Sequence, residues 1–496
     1  MEYEVAAAGA RLTKLIANDT AATSITYDTI GNPRLIQYAD SSAIELKYES
    51  SGLPWALTGV VDENSGRLST FGYDEAGRAR STQRAGAVDS YSTAYTVPPI
   101  RVTTRSSTPQ LVNGYLVIYR DHVWREPSGV VVNGPLASAD WGVSSTGNHP
   151  QIASRSQPAG SGCAASATTQ TFDVNGNISN RIDFNGNKVC FTHDLTRNLE
   201  TSRIEGLASN EPCPSSSEVP AGKRRVSTEY HPDWAMPMRV AEPSRITTFV
   251  YNGQPDPFAG GAPAVCAPHS ALLPDGKPTP LLCSRAEEAT LDSSGAMGTL
   301  APKDVTVPPR IQRWSYNHLG QVLSTVDARG QETTYQYYDV ASFSGADPFA
   351  VGHSVGDLRT VTNALGHSVE YTQYNKFGQW LRMLDANQVL TTRSFDLRRR
   401  LVTSDTAGEI STIEYWPNGR LKRLTMPDSS FVEHEYDAAQ RLVALSDNLG
   451  NRIEYILDAS GNRVSESVKD PLGTLRRSVM RSIDALGRIQ QLTGRE

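Results

Sequence analysis

The feature that most narrows what this chain can fold into is a repeat: an aromatic residue followed by Asp or Asn returns about every 21 residues. In the last third the stations are Tyr316-Asn317, Tyr337, Tyr374-Asn375, Phe395-Asp396, Tyr415-Trp416, Tyr436-Asp437, Leu457-Asp458 and Ile483-Asp484. Earlier copies are Tyr27-Asp28, Tyr48-Glu49, Tyr73-Asp74, Phe172-Asp173, His193-Asp194, Tyr230-His231 and Tyr251-Asn252. A fixed period of this length means stacked supersecondary units rather than a string of unrelated globular domains.

Residue chemistry explains one unit. The aromatic ends an extended segment, and Asp or Asn opens a turn by bonding backbone two residues on. A glycine three residues later takes positive φ, as expected at Gly31, Gly77, Gly176, Gly320, Gly378, Gly419, Gly461 and Gly487. About ten residues further on comes a second turn, at Asp183…Gly186, Asp327…Gly330, Asn363…Gly366, Asp405…Gly408, Asp447…Gly450 and Asp470…Gly473. Segments between turns, such as Phe431-Val432-Glu433-His434-Glu435-Tyr436, are rich in β-formers and too short for helices. Each unit is therefore two strands and two turns. Successive units predict an all-β chain in which hairpins join into one continuous, curved or spiralling antiparallel sheet, because accumulated twist forbids a long flat one. Polar residues interleave the apolar ones, which suits a thin wall wetted on at least one face.

The Y-D-x-x-G-[RN]-[LV] pattern with its second D-x-x-G turn resembles the YD repeats of bacterial RHS proteins, which also occur in toxin-complex shell proteins and in teneurins. The match covers Ile25 to Arg80, Thr171 to Gln254 and Arg310 to Gly494. The resemblance implies a shell or cocoon segment, without catalysis of its own, that helps to enclose a C-terminal polymorphic toxin or effector. It implies that cargo and a secretion machine as partners, and a secreted or cell-surface parent protein. A cell-surface adhesion or carbohydrate-binding module, with glycans as partners of the recurring aromatics, is the alternative. The expected organisation is YD repeats over 1–84, degenerate repeats and a Ser/Gly-rich loop over 85–170, repeats over 171–254, a Pro/Ala/Gly-rich insertion loop over 255–309, and repeats over 310–496.

Composition excludes other classes. Charged residues are 20% of the 496 and the formal net charge is -6, so the basic footprint of a nucleic-acid binder is missing. Residues 1–19 contain no continuous apolar h-region for a signal peptide, and no apolar run approaches a membrane span. The nine histidines are scattered without a metal-ligand pattern. No GxSxG elbow, phosphate loop or dinucleotide fingerprint occurs, so no catalytic residue, metal or cofactor is assigned. The recurring acids read as turn makers rather than an acid/base pair. Asp470-Pro471-Leu472-Gly473 superficially matches the family's self-cleavage motif, yet it falls where a second turn is due and reads as a turn. Cys266 and Cys283 flank one loop and either form a disulfide in an oxidising compartment or remain free thiols.

Overall fold

The computed structural model describes residues 2–6, 9–17, 21–95, 105–106, 110–112, 115–117, 120–121, 129–133, 139–146, 149–157, 164–214, 219–343, 350–483 and 488–494. The repeat positions Asp484 and Gly487, and Cys163, lie outside the described residues. Strands and turns account for nearly all of the described chain, and the protein is all-β with long antiparallel sheets. It divides into two compact units: Met1–Ile16, Ala22–Thr169 and Ser411–Glu496 form the first, Ala17–Ala21 and Gln170–Ile410 the second.

In the first unit, strands from Pro33–Gln37 to Val88–Tyr95 pair antiparallel, each with its sequence neighbours. The ladder goes on through Gly129–Asn133, Ala139–Thr146 and His149–Gln157. The stretch 85–170 thus includes ladder strands of its own. A second run of neighbour pairing extends from Glu409–Tyr415 to Ile489–Gly494. Strand alternation sorts side chains by face there. Arg423, Glu433, Arg452 and Lys469 share one face, while Leu424, Val432, Leu445, Ile453 and Val468 share the other. The polar face is laced by ion pairs: Arg452 joins Glu435 at 2.7 Å and Glu454 at 3.0 Å, and Lys469 joins Glu454 at 2.6 Å.

The second unit repeats this neighbour pairing from Ile178–Ile182 to Leu401–Thr406. What distinguishes it is the size of some turns. After Tyr251, the bond that closes an ordinary turn runs from the Asn252 N–H to the Leu281 carbonyl at 2.8 Å, so 253–280 is one enlarged turn. Leu282–Ala289 then returns as a full ladder strand, pairing with Arg245–Tyr251 on one side and Arg310–Tyr316 on the other. The expected insertion loop over 255–309 is therefore two enlarged turns flanking one strand. Its Pro, Ala and Gly content masked that strand. These turns fold back on the sheet and bury apolar clusters: Val250 with Ala264 and Cys283, and Ala241 with Ile246 and Ala301.

Two disulfides staple enlarged turns to ladder strands. Cys266 is bonded to Cys283, which leaves no free thiol at either position, and Cys190 is bonded to Cys213. The second pair was not anticipated. Cys190 lies within the strand Asn187–Asp194 and Cys213 beyond the end of the strand Leu199–Ala208, 23 residues apart in sequence.

Candidate functional site

The surface that recurs is the turn edge, and one hydrogen-bond scheme serves it throughout. At Asp28 the backbone N–H bonds the Asn32 carbonyl at 2.9 Å, and the Gly31 N–H returns to the Asp28 carbonyl at 3.2 Å. The same pair of bonds closes the turns at Asp74, Asp173, Asn317, Asn375, Asp396, Trp416, Asp437 and Asp458. Each is a three-residue hairpin loop whose last residue is left-handed, the form built on a type I turn and a bulge. Gly77 shows why glycine suits that position. Its φ is 78°, and an added Cβ would lie 2.7 Å from the Trp55 ring.

Asp is needed for both its oxygens. Oδ1 of Asp74 accepts the N–H of Ala76 at 3.0 Å and of Arg78 at 2.9 Å, while Oδ2 accepts Arg78 Nε at 2.7 Å. Asp173 with Asn177, Asp396 with Arg400, Asp437 with Arg441 and Asp458 with Asn462 repeat this. At the stations Asn317 and Asn375 the fifth residue is Gln, and amide meets amide: Asn317 Nδ2 donates to Gln321 Oε1 at 2.9 Å, and Asn375 to Gln379 at 3.0 Å. A donor-bearing Asn side chain requires an acceptor, which Arg lacks. This pairing was readable in the sequence as a rule linking first and fifth turn residues, and it was missed.

Burial pushes the carboxyls of Asp28, Asp74 and Asp173 upward, but the convergent N–H donors outweigh it and hold all three below the usual range. The Asp470-Pro471-Leu472-Gly473 segment follows the same scheme. Oδ1 of Asp470 accepts the N–H of Leu472 and Thr474, and Oδ2 accepts Arg476 Nε at 2.8 Å. The Thr474 N–H leads the contacts that keep this carboxyl ionised.

The aromatics also act on backbone. Tyr27 OH donates to the Leu12 carbonyl at 2.7 Å and Tyr73 OH to that of Leu57 at 2.9 Å. Tyr316 reaches Leu282 at 2.9 Å, and Tyr374 reaches Leu358 at 2.6 Å. In the last two cases the acceptor is the first residue of the preceding strand. A tyrosine at a strand end thus ties down the start of its neighbour. Burial raises the phenol pKa of Tyr316 and Tyr374. Phe172 and Phe395 fill the station without a hydroxyl. Tyr415 and Tyr436 end strands of the first unit, and an Arg420 guanidinium lies 6.0 Å from the Tyr436 ring centre.

Several turns carry no glycine at the left-handed position: Ser41, Ser65, Gln388, Arg399, Ser429 and Gln440 all have positive φ. The turns at Arg399 and Gln440 were expected from the stations Phe395-Asp396 and Tyr436-Asp437, whereas those at Ser41, Ser65, Gln388 and Ser429 were not, because glycine is absent there. The spacing alone marks them. Among the described residues no group of three or more His, Cys, Asp or Glu side chains is placed to hold a metal ion, and no helix is long and apolar enough to cross a membrane.

With this geometry established, the comparisons with solved structures are specific about the fold. The crystal structure of TcdB2-TccC3 without its hypervariable C-terminal region aligns with 94% of this chain and 22% of its own, at a TM-score of 0.59 and 12% identity. The fold is that of an RHS-type repeat shell. The TcdB2-TccC3-TEV crystal structure covers 95% of the chain at a TM-score of 0.56 and 11% identity. The Photorhabdus luminescens Tc holotoxin pore, carrying the TccC3 mutation D651A, covers 95% at 0.53 and 11% identity. The chain spans little more than a fifth of each of these proteins. A curated relative, double-stranded DNA deaminase toxin A of Burkholderia cenocepacia strain H111, is 33% identical over 121 residues, which is 24% of this chain and 8% of that protein. No protein-family model matches the chain.

Proposed function

We propose that the chain is a non-catalytic wall segment of an RHS-type shell and that its parent protein encloses a C-terminal toxin or effector. The supporting observation is that the recurrent side chains which might have done chemistry serve the backbone instead. The station carboxylates close turns, and the station tyrosines rivet strand starts. The solved proteins with this fold are toxin-complex components, one of them described as having a hypervariable C-terminal region. The matched curated relative is a toxin as well. Two disulfides fit passage through an oxidising compartment, and with it a secreted or surface-displayed parent carried by a secretion machine. Electron-microscopy class averages of the purified chain test the reading. A curved wall with a concave hollow is the expected result. Solid particles or beads on a string would refute a wall.

A further inference from the structure

Two turns of the first unit depart from the repeat scheme in complementary ways. Asp62 closes its own turn through Oδ1, which accepts the N–H of Asn64 at 3.0 Å and of Gly66 at 3.1 Å. Its fifth residue is Gly66, where the turns at Asp74, Asp173, Asp396 and Asp458 place Arg or Asn, so no local side chain claims Oδ2. The turn at Asp437 is complete, with Arg441 on both carboxylate oxygens. Its left-handed position, however, holds Gln440 at φ 62° instead of glycine, a conformation that costs a residue with a Cβ free energy. The Gln440 Nε2 donates to Asp62 Oδ2 at 2.8 Å across 378 residues of chain.

Neighbouring bonds join the same two stretches. Arg84 Nη1 donates to the Ala439 carbonyl at 3.3 Å, and the Asp89 N–H to the Ala459 carbonyl at 2.9 Å. Asp62 and Ala439 are both buried where the stretches meet. One turn lacks a donor that the other supplies from a position where most turns carry no side chain.

We propose that Asp62 and Gln440 form a latch that closes a seam between residues 62–89 and 437–461 of the first unit. The strained backbone at Gln440 is retained for that contact. Opening or closing this seam changes the edge of the ladder without unfolding either turn, since each turn keeps its own closing bonds. The inference stands on the local geometry and does not require that the parent protein carry a cargo.

Gln440→Gly gives a test by sign. If Gln440 serves only its own turn, glycine relieves the left-handed backbone and raises the thermal midpoint. The latch predicts a lower midpoint and about tenfold faster amide exchange at Asp89, as for loss of a bond to a charged group. Gln440→Glu sets carboxylate against carboxylate and is expected to open the seam in the same way. Adding Asp62→Asn restores a donor–acceptor pair while its Oδ1 still closes the turn, and is expected to return exchange to the wild-type rate. A raised midpoint in Gln440→Gly, or no rescue in the double variant, overturns the proposal.

Discussion

The run from Glu409 to Lys469 and the stretch from Asn187 to Asp304 are built from the same strand-and-turn unit but are held together differently. In the first, every turn is short, and the apolar side chains of Leu424, Val432, Leu445 and Ile453 are only half-buried. Stability there rests on backbone pairing, on the turn carboxylates and on cross-strand ion pairs, each of small individual worth. In the second, enlarged turns lie over the sheet and create a true interior, with Leu207 at 2% and Ile246 at 0% exposure. The lesson is that this ladder needs no conventional core to form, and that a core appears only where a turn is long enough to fold back.

The largest effect expected from this contrast is at Ile246. Ile246→Ala leaves a cavity against Ala241 and Ala301 and is expected to cost about 2–5 kcal/mol. The matching change in the thin run, Leu424→Ala, is expected to cost about 1–2 kcal/mol because its side chain is already partly wet. Denaturant melts of the two variants measure the ratio, and equal losses would erase the distinction. Next, replacing Cys266 and Cys283 together by Ser removes a cross-link spanning 17 residues, worth about 3 kcal/mol. Hydrogen exchange is expected to rise around 253–289 and to stay unchanged over 411–469, where the chain has no cysteine.

A smaller effect concerns the tyrosine rivet. Tyr374→Phe leaves the Leu358 carbonyl without its donor and is expected to cost about 1–2 kcal/mol. The converse, Leu457→Tyr, supplies a rivet to the thin run at a station where a 520 Å³ hollow is lined by Leu442, Leu457 and Arg463. It is expected to raise the thermal midpoint slightly. The smallest effect is a pH dependence. The Asn187 and Asn451 side-chain amides lead the contacts that hold the Asp183 and Asp447 carboxyls below the ordinary value of 3.8. A depressed folded pKa contributes stability that is present above the unfolded value and lost as pH falls through the folded one. The part of the stability that these carboxylates carry is therefore expected to be lost only below about pH 4, where circular dichroism of the Asp447→Asn variant shows a shallower slope than that of the wild type. Identical slopes in the two proteins below about pH 4 would contradict this account.

Period and residue type were enough to read the strands, the paired turns and the all-β class. The turn of such a unit is governed by contacts within a few residues, an Asp with the N–H groups two and four residues on. The turns at Ser65 and Ser429 escaped because a residue other than glycine had been made to adopt positive φ. The strand Leu282–Ala289 escaped because its flanking turns broke the period.

By itself, then, the sequence determined the local unit and its repetition. Only the tertiary structure decided which cysteines join, where an interior forms, and that Asp62 meets Gln440. Those outcomes depend on loops folding back and on segments meeting across hundreds of residues, and the cost of bringing such ends together grows too slowly with length for spacing to reveal the partners.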